Sequence, residues 1–213
     1  MNAVAVSPDG TLAVSGGWDG TVRRWHLATK QPPVISRVHA AGVLGVSFHP
    51  AGRQFATVGS DPTLILWDAA TWEKREVKGA HPRGADGVAY SPDGAVLATG
   101  GIDGVIRLWD PATGAQYREL VGHTGPVIGL AFGPDGVLAS GSHDGTARLW
   151  NVSTGASLGV VGEHRGFVRG VAFSPDGKTV ASASWDRTVG FWPVACPPLP
   201  VAPPPRPAGG AAP

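Results

Sequence analysis

Short apolar runs separated by turn residues fill the chain from its first residues to about Trp192. The run VIGLAF (127–132) is followed by VLASGS (137–142) and TARLW (146–150), each rich in β-branched or small residues and bounded by Gly, Pro or Asp. Runs of this length and boundary predict β-strands of about 5–6 residues. Pro-Asp-Gly stands between the first two. Its Pro presets φ at one turn position and its Gly permits the next, so the pair closes as a hairpin. Asp-Gly-Thr, at 19–21 and 144–146, plays the same part between second and third strands. A fourth, more polar run follows at VISR (34–37), EKREVK (73–78), QYRELV (116–121) and SLGVV (157–161). Its polarity suits an outer edge strand.

The pattern is periodic. Trp25, Trp67, Trp109, Trp150 and Trp192 recur at intervals of 42, 42, 41 and 42 residues. Asp19, Asp61, Asp103, Asp144 and Asp186 lie six residues before these tryptophans, and Ser15, Thr57, Thr99, Ser140 and Ser182 lie four before each Asp. His39, His81, His123 and His164 precede the last four Asp by 21 or 22. The turns SPDG (7–10), HPAG (49–52), SPDG (91–94), GPDG (133–136) and SPDG (174–177) complete the unit. One unit is thus a four-stranded antiparallel sheet, which cannot bury both faces alone and must stack on its neighbours.

The spacing GH…SPDG…LASGS-x-D-G-T-x-R-L-W-[DN] resembles the WD40 repeat, whose units form the blades of a β-propeller. The resemblance implies an all-β fold, a propeller of five blades over residues 1–193, at roughly 1–37, 39–79, 81–121, 123–162 and 164–193. The last blade lacks its outer strand, which leaves an open or partial ring. Since seven blades are the commonest number in the family, about two further blades are expected upstream, or another subunit completes the ring. From 194 to 213 the chain is Pro-rich and is expected to be a disordered tail. Pro203 to Pro207, with Arg206, offers a ligand for SH3-type domains, against the simpler reading of a linker.

Ser, His and Asp recurring together invite a catalytic reading. Catalysis needs one such set at one site, whereas here the set repeats. The resemblance implies a structural tetrad in each blade: Asp accepts from His, His contacts Ser or Thr, and that hydroxyl reaches the Trp N–H. The expected sets are Ser15, Asp19 and Trp25; His39, Thr57, Asp61 and Trp67; His81, Thr99, Asp103 and Trp109; His123, Ser140, Asp144 and Trp150; and His164, Ser182, Asp186 and Trp192. The first has no histidine, so Asp19 should be less well held. With no close His pair, a metal site is not expected, nor is any cofactor.

If the tetrads are scaffold, function lies in residues that vary at fixed positions. By resemblance to WD-repeat propellers, a top face binds partners. The positions carried over are Asn2, Trp18, Leu44, Ser60, Asp86, Ile102, Pro126, Ile128, His143, Phe167, Arg169 and Trp185, with Gly42 and Gly84 in the remaining places. Aromatic residues and Arg are enriched at interface hot spots, which singles out Trp18, Phe167, Arg169 and Trp185. The alternative is that Trp18 and Trp185 merely pack over turns. Asp86 and Arg169 would make the patch amphoteric, suiting a protein or peptide partner.

Composition narrows the partner further. In 213 residues, 17 Lys plus Arg against 16 Asp plus Glu leave a net charge of +1, which argues against nucleic acid. The single cysteine, Cys196, excludes an internal disulfide. Neither a run of about 18 apolar residues nor a leader-like start marks export or membrane insertion. The function expected is a protein-interaction scaffold. The alternatives are a sensor or regulatory propeller in a larger signalling chain, for instance one following a kinase domain, and an enzymatic propeller with a channel site. The last needs converging carboxylates or His unique to one unit, and no unit is so marked.

Overall fold

The computed structural model of the chain describes residues 1–29 and 31–194. The expected tail from 195 onward, with Cys196 and Arg206, lies outside the described residues. Five antiparallel sheets account for the described strands. Blade 1 comprises β1 (Ala3–Val6), β2 (Leu12–Gly16), β3 (Thr21–His26) and β4 (Val34–Arg37). Blade 2 comprises β5 (Val43–Phe48), β6 (Gln54–Gly59), β7 (Thr63–Asp68) and β8 (Lys74–Lys78). Blade 3 comprises β9 (Ala85–Tyr90), β10 (Leu97–Gly101), β11 (Ile106–Trp109) and β12 (Gln116–Leu120), and blade 4 β13 (Val127–Phe132), β14 (Val137–Ser142), β15 (Thr146–Asn151) and β16 (Ser157–Glu163). Among the described residues blade 5 has three strands, β17 (Val168–Phe173), β18 (Thr179–Ser184) and β19 (Val189–Pro193).

Local chemistry closes the first hairpin of blades 1, 3 and 5. Ser7 Oγ donates to Asp9 Oδ1 at 2.6 Å and accepts from the Leu12 amide at 2.9 Å. Ser91 and Ser174 repeat the arrangement with Asp93 and Asp176. In the second hairpin, Gly20 sits at φ 74° with the His39 carbonyl only 2.3 Å from where a Cβ would stand. A side chain there would be strained and would push away the start of blade 2.

The core lies between blades and not within any one of them. Val14 and Val22 of blade 1 pack with Phe55, Ile65 and Trp67 of blade 2. Leu64 and Leu66 pack with Tyr90, Leu97 and Trp109, and Ile106 and Leu108 with Leu138 and Trp150. Leu149 meets Val180, with Phe173 and Trp192 at its border. Arginines tie the same joints at the edge. Arg24 Nη1 donates to the carbonyls of Ala69 and Ala70, both at 3.1 Å, and Arg118 donates to those of Thr154 and Ser153 at 2.7 and 3.1 Å. Inner strands therefore adjoin in the order β1, β5, β9, β13, β17. Among the described residues no comparable packing joins β17 back to β1, so these five sheets do not close a ring.

Four of the five inner strands carry a register break at their first residues. Pairing skips from Val43 to Gly45, from Ala85 to Gly87, from Val127 to Gly129 and from Val168 to Gly170. The unpaired residues are Leu44, Asp86, Ile128 and Arg169. A bulge of this kind bends the strand and re-aims one side chain out of the pleat.

Candidate functional site

Hydrogen-bonded chains fix the turns on which the candidate residues stand. In blade 2, Trp67 Nε1 donates to Thr57 Oγ1, whose hydroxyl donates to His39 Nε2, each at 3.0 Å, and His39 Nδ1–H donates to Asp61 at 3.0 Å. The tautomer follows from the carboxylate being able only to accept. Blade 4 repeats the chain through Trp150, Ser140, His123 and Asp144 at 2.8, 2.7 and 2.7 Å. Blade 5 does so through Trp192, Ser182, His164 and Asp186 at 2.7, 2.7 and 3.0 Å. Each Asp also accepts amides of its own turn and of the residue after the His, as Asp144 does from Thr146 and Thr124. Burial pushes the Asp144 carboxyl up, and the Thr146 and His123 hydrogen bonds more than offset this, holding it at about 2.

Blade 3 reverses the polarity of its chain. Arg107 inserts between His81 and Asp103, donating to His81 Nδ1 at 2.6 Å and to Asp103 Oδ2 at 2.8 Å, while its Nε reaches Glu119 at 3.1 Å. His81 and Asp103 stand 3.7 Å apart, beyond a direct bond. His81 must then donate from Nε2 to Thr99, at 2.6 Å, where Trp109 also donates at 2.8 Å. Burial, with the Arg107 charge beside it, lowers the His81 pKa to about 4. Blade 1 has no histidine at the position of His39, yet Asp19 is not loose. Thr21 holds it by its hydroxyl at 2.7 Å and its amide at 3.1 Å, and Arg23 pairs with it at 2.8 Å. These contacts, the Thr21 hydroxyl foremost, hold the Asp19 carboxyl at about 2. Trp25 keeps its bond to Ser15 at 3.0 Å.

The residues expected at the top face divide into a connected cluster and scattered members. The cluster spans blades 4 and 5. The His143 and Phe167 rings stack with centroids 4.1 Å apart and planes at 14°, and Trp185 lies 5.4 Å from Phe167. The Arg169 guanidinium stands 5.5 Å over the Trp185 ring, within cation–π range. Trp185 is nonetheless 64% exposed, and Phe167 is exposed as well. The His143 Nε2 is buried without a hydrogen-bond partner among the described residues. Burial, and then the Arg169 charge, lowers the His143 pKa, so the ring is neutral at neutral pH.

Asp86 lies on the bulge of blade 3. Burial raises its carboxyl above the ordinary range and the Arg169 charge opposes the shift. Trp18, 69% exposed, stands apart from the cluster and lies over Gly42, where a Cβ would come within 2.7 Å of its ring. Leu44, Ile102 and Ile128 are half-buried, and Asn2 is tied to the Val43 carbonyl at 3.1 Å. Sequence reasoning did not find Arg107, the Arg24 and Arg118 ties or the strand bulges. The first has a signal in hindsight, since an Arg two residues before the repeat Trp is long enough to reach the turn Asp.

Two consequences are measurable by urea unfolding. Thr57→Ala leaves the Trp67 N–H and His39 Nε2 unpartnered in a fully buried site and should cost about 2–3 kcal/mol, whereas Thr57→Ser should cost less than about 1 kcal/mol. His81 titrates at about 4 when folded and at the ordinary 6.5 when unfolded, so the unfolded chain binds the extra proton between those values. Stability should therefore fall by up to roughly 3 kcal/mol as pH drops from 6.5 to 4, with a shallower slope in Arg107→Met.

The family model described as WD domain, G-beta repeat matches five successive stretches, residues 1–26, 32–68, 74–110, 114–151 and 155–193. From the second onward, each stretch takes in an outer strand of one blade and the three inner strands of the next. No curated protein matches the chain. WD40 repeats generally serve as protein-interaction modules. With its repeats matched across the five sheets, the chain belongs to the WD40-repeat family.

Proposed function

We propose that the chain is a protein-interaction scaffold that takes a protein or peptide partner on its top face, centred on the aromatic cluster of blades 4 and 5. The observation that carries the reading is the exposed pair Phe167 and Trp185, continuous with His143 and roofed by Arg169. Exposed aromatic rings held by fixed turns lose little entropy on binding, and Trp and Arg are the residue types that dominate interface energetics. Asp86 offers a desolvated acceptor within reach of the Arg169 charge, and Trp18 a separate apolar contact. The recurring His, Asp and Ser or Thr groups are committed to the hydrogen-bonded chains below this surface, which supports binding and not reaction.

The test is selection of binding peptides from a display library against the 213-residue chain, followed by titration calorimetry. Phe167→Ala and Trp185→Ala should each weaken binding at least tenfold, about 1.4 kcal/mol or more, and Trp18→Ala by less. Ile35→Ala, on the exposed outer strand of blade 1, should leave affinity unchanged. Selected peptides that bind all four variants equally well would place the interaction elsewhere.

A further inference from the structure

The two ends of the blade series carry exposed apolar faces, and the repeat supplies an internal control for what those faces are for. In β19, Val189 occupies the position of Val22, Leu64, Ile106 and Ala147, since each stands opposite the same residue of its second strand. Those four are 0% exposed, and Val189 is 58% exposed. Phe191, one turn of the pleat further, occupies the position of Leu66, Leu108 and Leu149, each buried against the following blade, and is 72% exposed. At the other end, Val4 and Val6 of β1 are exposed where Val46 and Phe48 of β5, or Val171 and Phe173 of β17, pack against the preceding blade. Trp25 and Leu27 are exposed beside them.

These faces also match each other in volume. At three interior joints, a Leu on the leaving face meets an aromatic residue on the arriving face: Leu66 with Tyr90, Leu108 with Phe132, and Leu149 with Phe173. At the two ends the sizes are exchanged. The leaving face carries the larger Phe191, and the arriving face carries the smaller Val6 at the position of those aromatics, each opposite the residue that pairs with the repeat Trp. One aromatic ring per joint is thus preserved. The two faces do not meet within the chain, because β17 does not pack on β1.

We propose that copies of this chain associate head to tail, with the Val189 and Phe191 face of blade 5 in one copy seated on the Val4 and Val6 face of blade 1 in the next. Such a joint is heterologous, and two copies satisfy both faces only if the rotation between them closes. The inference does not depend on the top-face reading, because neither Phe191 nor Val6 belongs to that surface.

Sedimentation equilibrium of the 213-residue chain at tens of micromolar tests it. The expected mass is at least twice the 21.8 kDa of one copy. Phe191→Asp should raise the dissociation constant at least tenfold. Val6→Phe alone overfills the joint and should also weaken association, while Val6→Phe combined with Phe191→Leu recreates the interior pairing and should restore affinity to within a few-fold. Circular dichroism of each variant checks that the blades remain folded. A monomer, or association indifferent to these substitutions, would overturn the proposal.

Discussion

A four-stranded antiparallel sheet has two faces, and in the interior blades of this chain both are apolar. Water cannot be excluded from either unless another blade lies against it, so the unit that folds is the joint between blades and not the blade. Every buried cluster in the structure accordingly draws residues from two consecutive sheets. The matched repeats show the same dependence in the covalent chain, since each carries the outer strand of one blade into the inner strands of the next. The arginine ties of Arg24 and Arg118 then pin the rim of joints that the apolar side chains have already closed.

Stacking sheets this closely buries the turn His, the strand hydroxyl and the Trp N–H, and each must find a partner when water leaves. The hydrogen-bonded chain solves this in blades 2, 4 and 5 with one polarity and in blade 3 with the other. The reversal shows that satisfaction matters more than direction: once Arg107 donates to His81 Nδ1, the imidazole shifts its proton to Nε2 and Thr99 accepts. Rigid turns follow from this. His143 and Trp185 stand immediately before the carboxylates of blades 4 and 5, and so the exposed aromatic cluster inherits its geometry from the buried polar network below it.

Much of this was legible in the sequence. The five sheets, the three strands described for blade 5 and the turn positions follow from short runs, Pro-Asp-Gly and the recurring Trp. What was not legible shares a physical cause. Leu44, Asp86, Ile128 and Arg169 are unpaired because of strand bulges, and a bulge is a matter of register between two strands that composition does not encode. Arg107 displaced the expected His81 to Asp103 bond because a long guanidinium competes for the same carboxylate, a three-dimensional contest. Among the top-face positions, the sequence placed Trp18 and Trp185 on equal terms. Only the packing separates them, Trp18 lying over Gly42 and Trp185 joining Phe167 and Arg169. Likewise Phe191 reads as one more strand residue until its position is compared with the buried Leu of the other blades.

The claim on which the rest hangs is that stability resides in the joints between blades. Its most direct test compares Leu108→Ala with Phe191→Ala by urea unfolding, at concentrations low enough for copies to stay apart. The two residues hold equivalent positions, one inside a joint and one at an open end. The account predicts a loss of about 2–5 kcal/mol for Leu108→Ala and less than about 1 kcal/mol for Phe191→Ala. Equal losses at the two sites would contradict it.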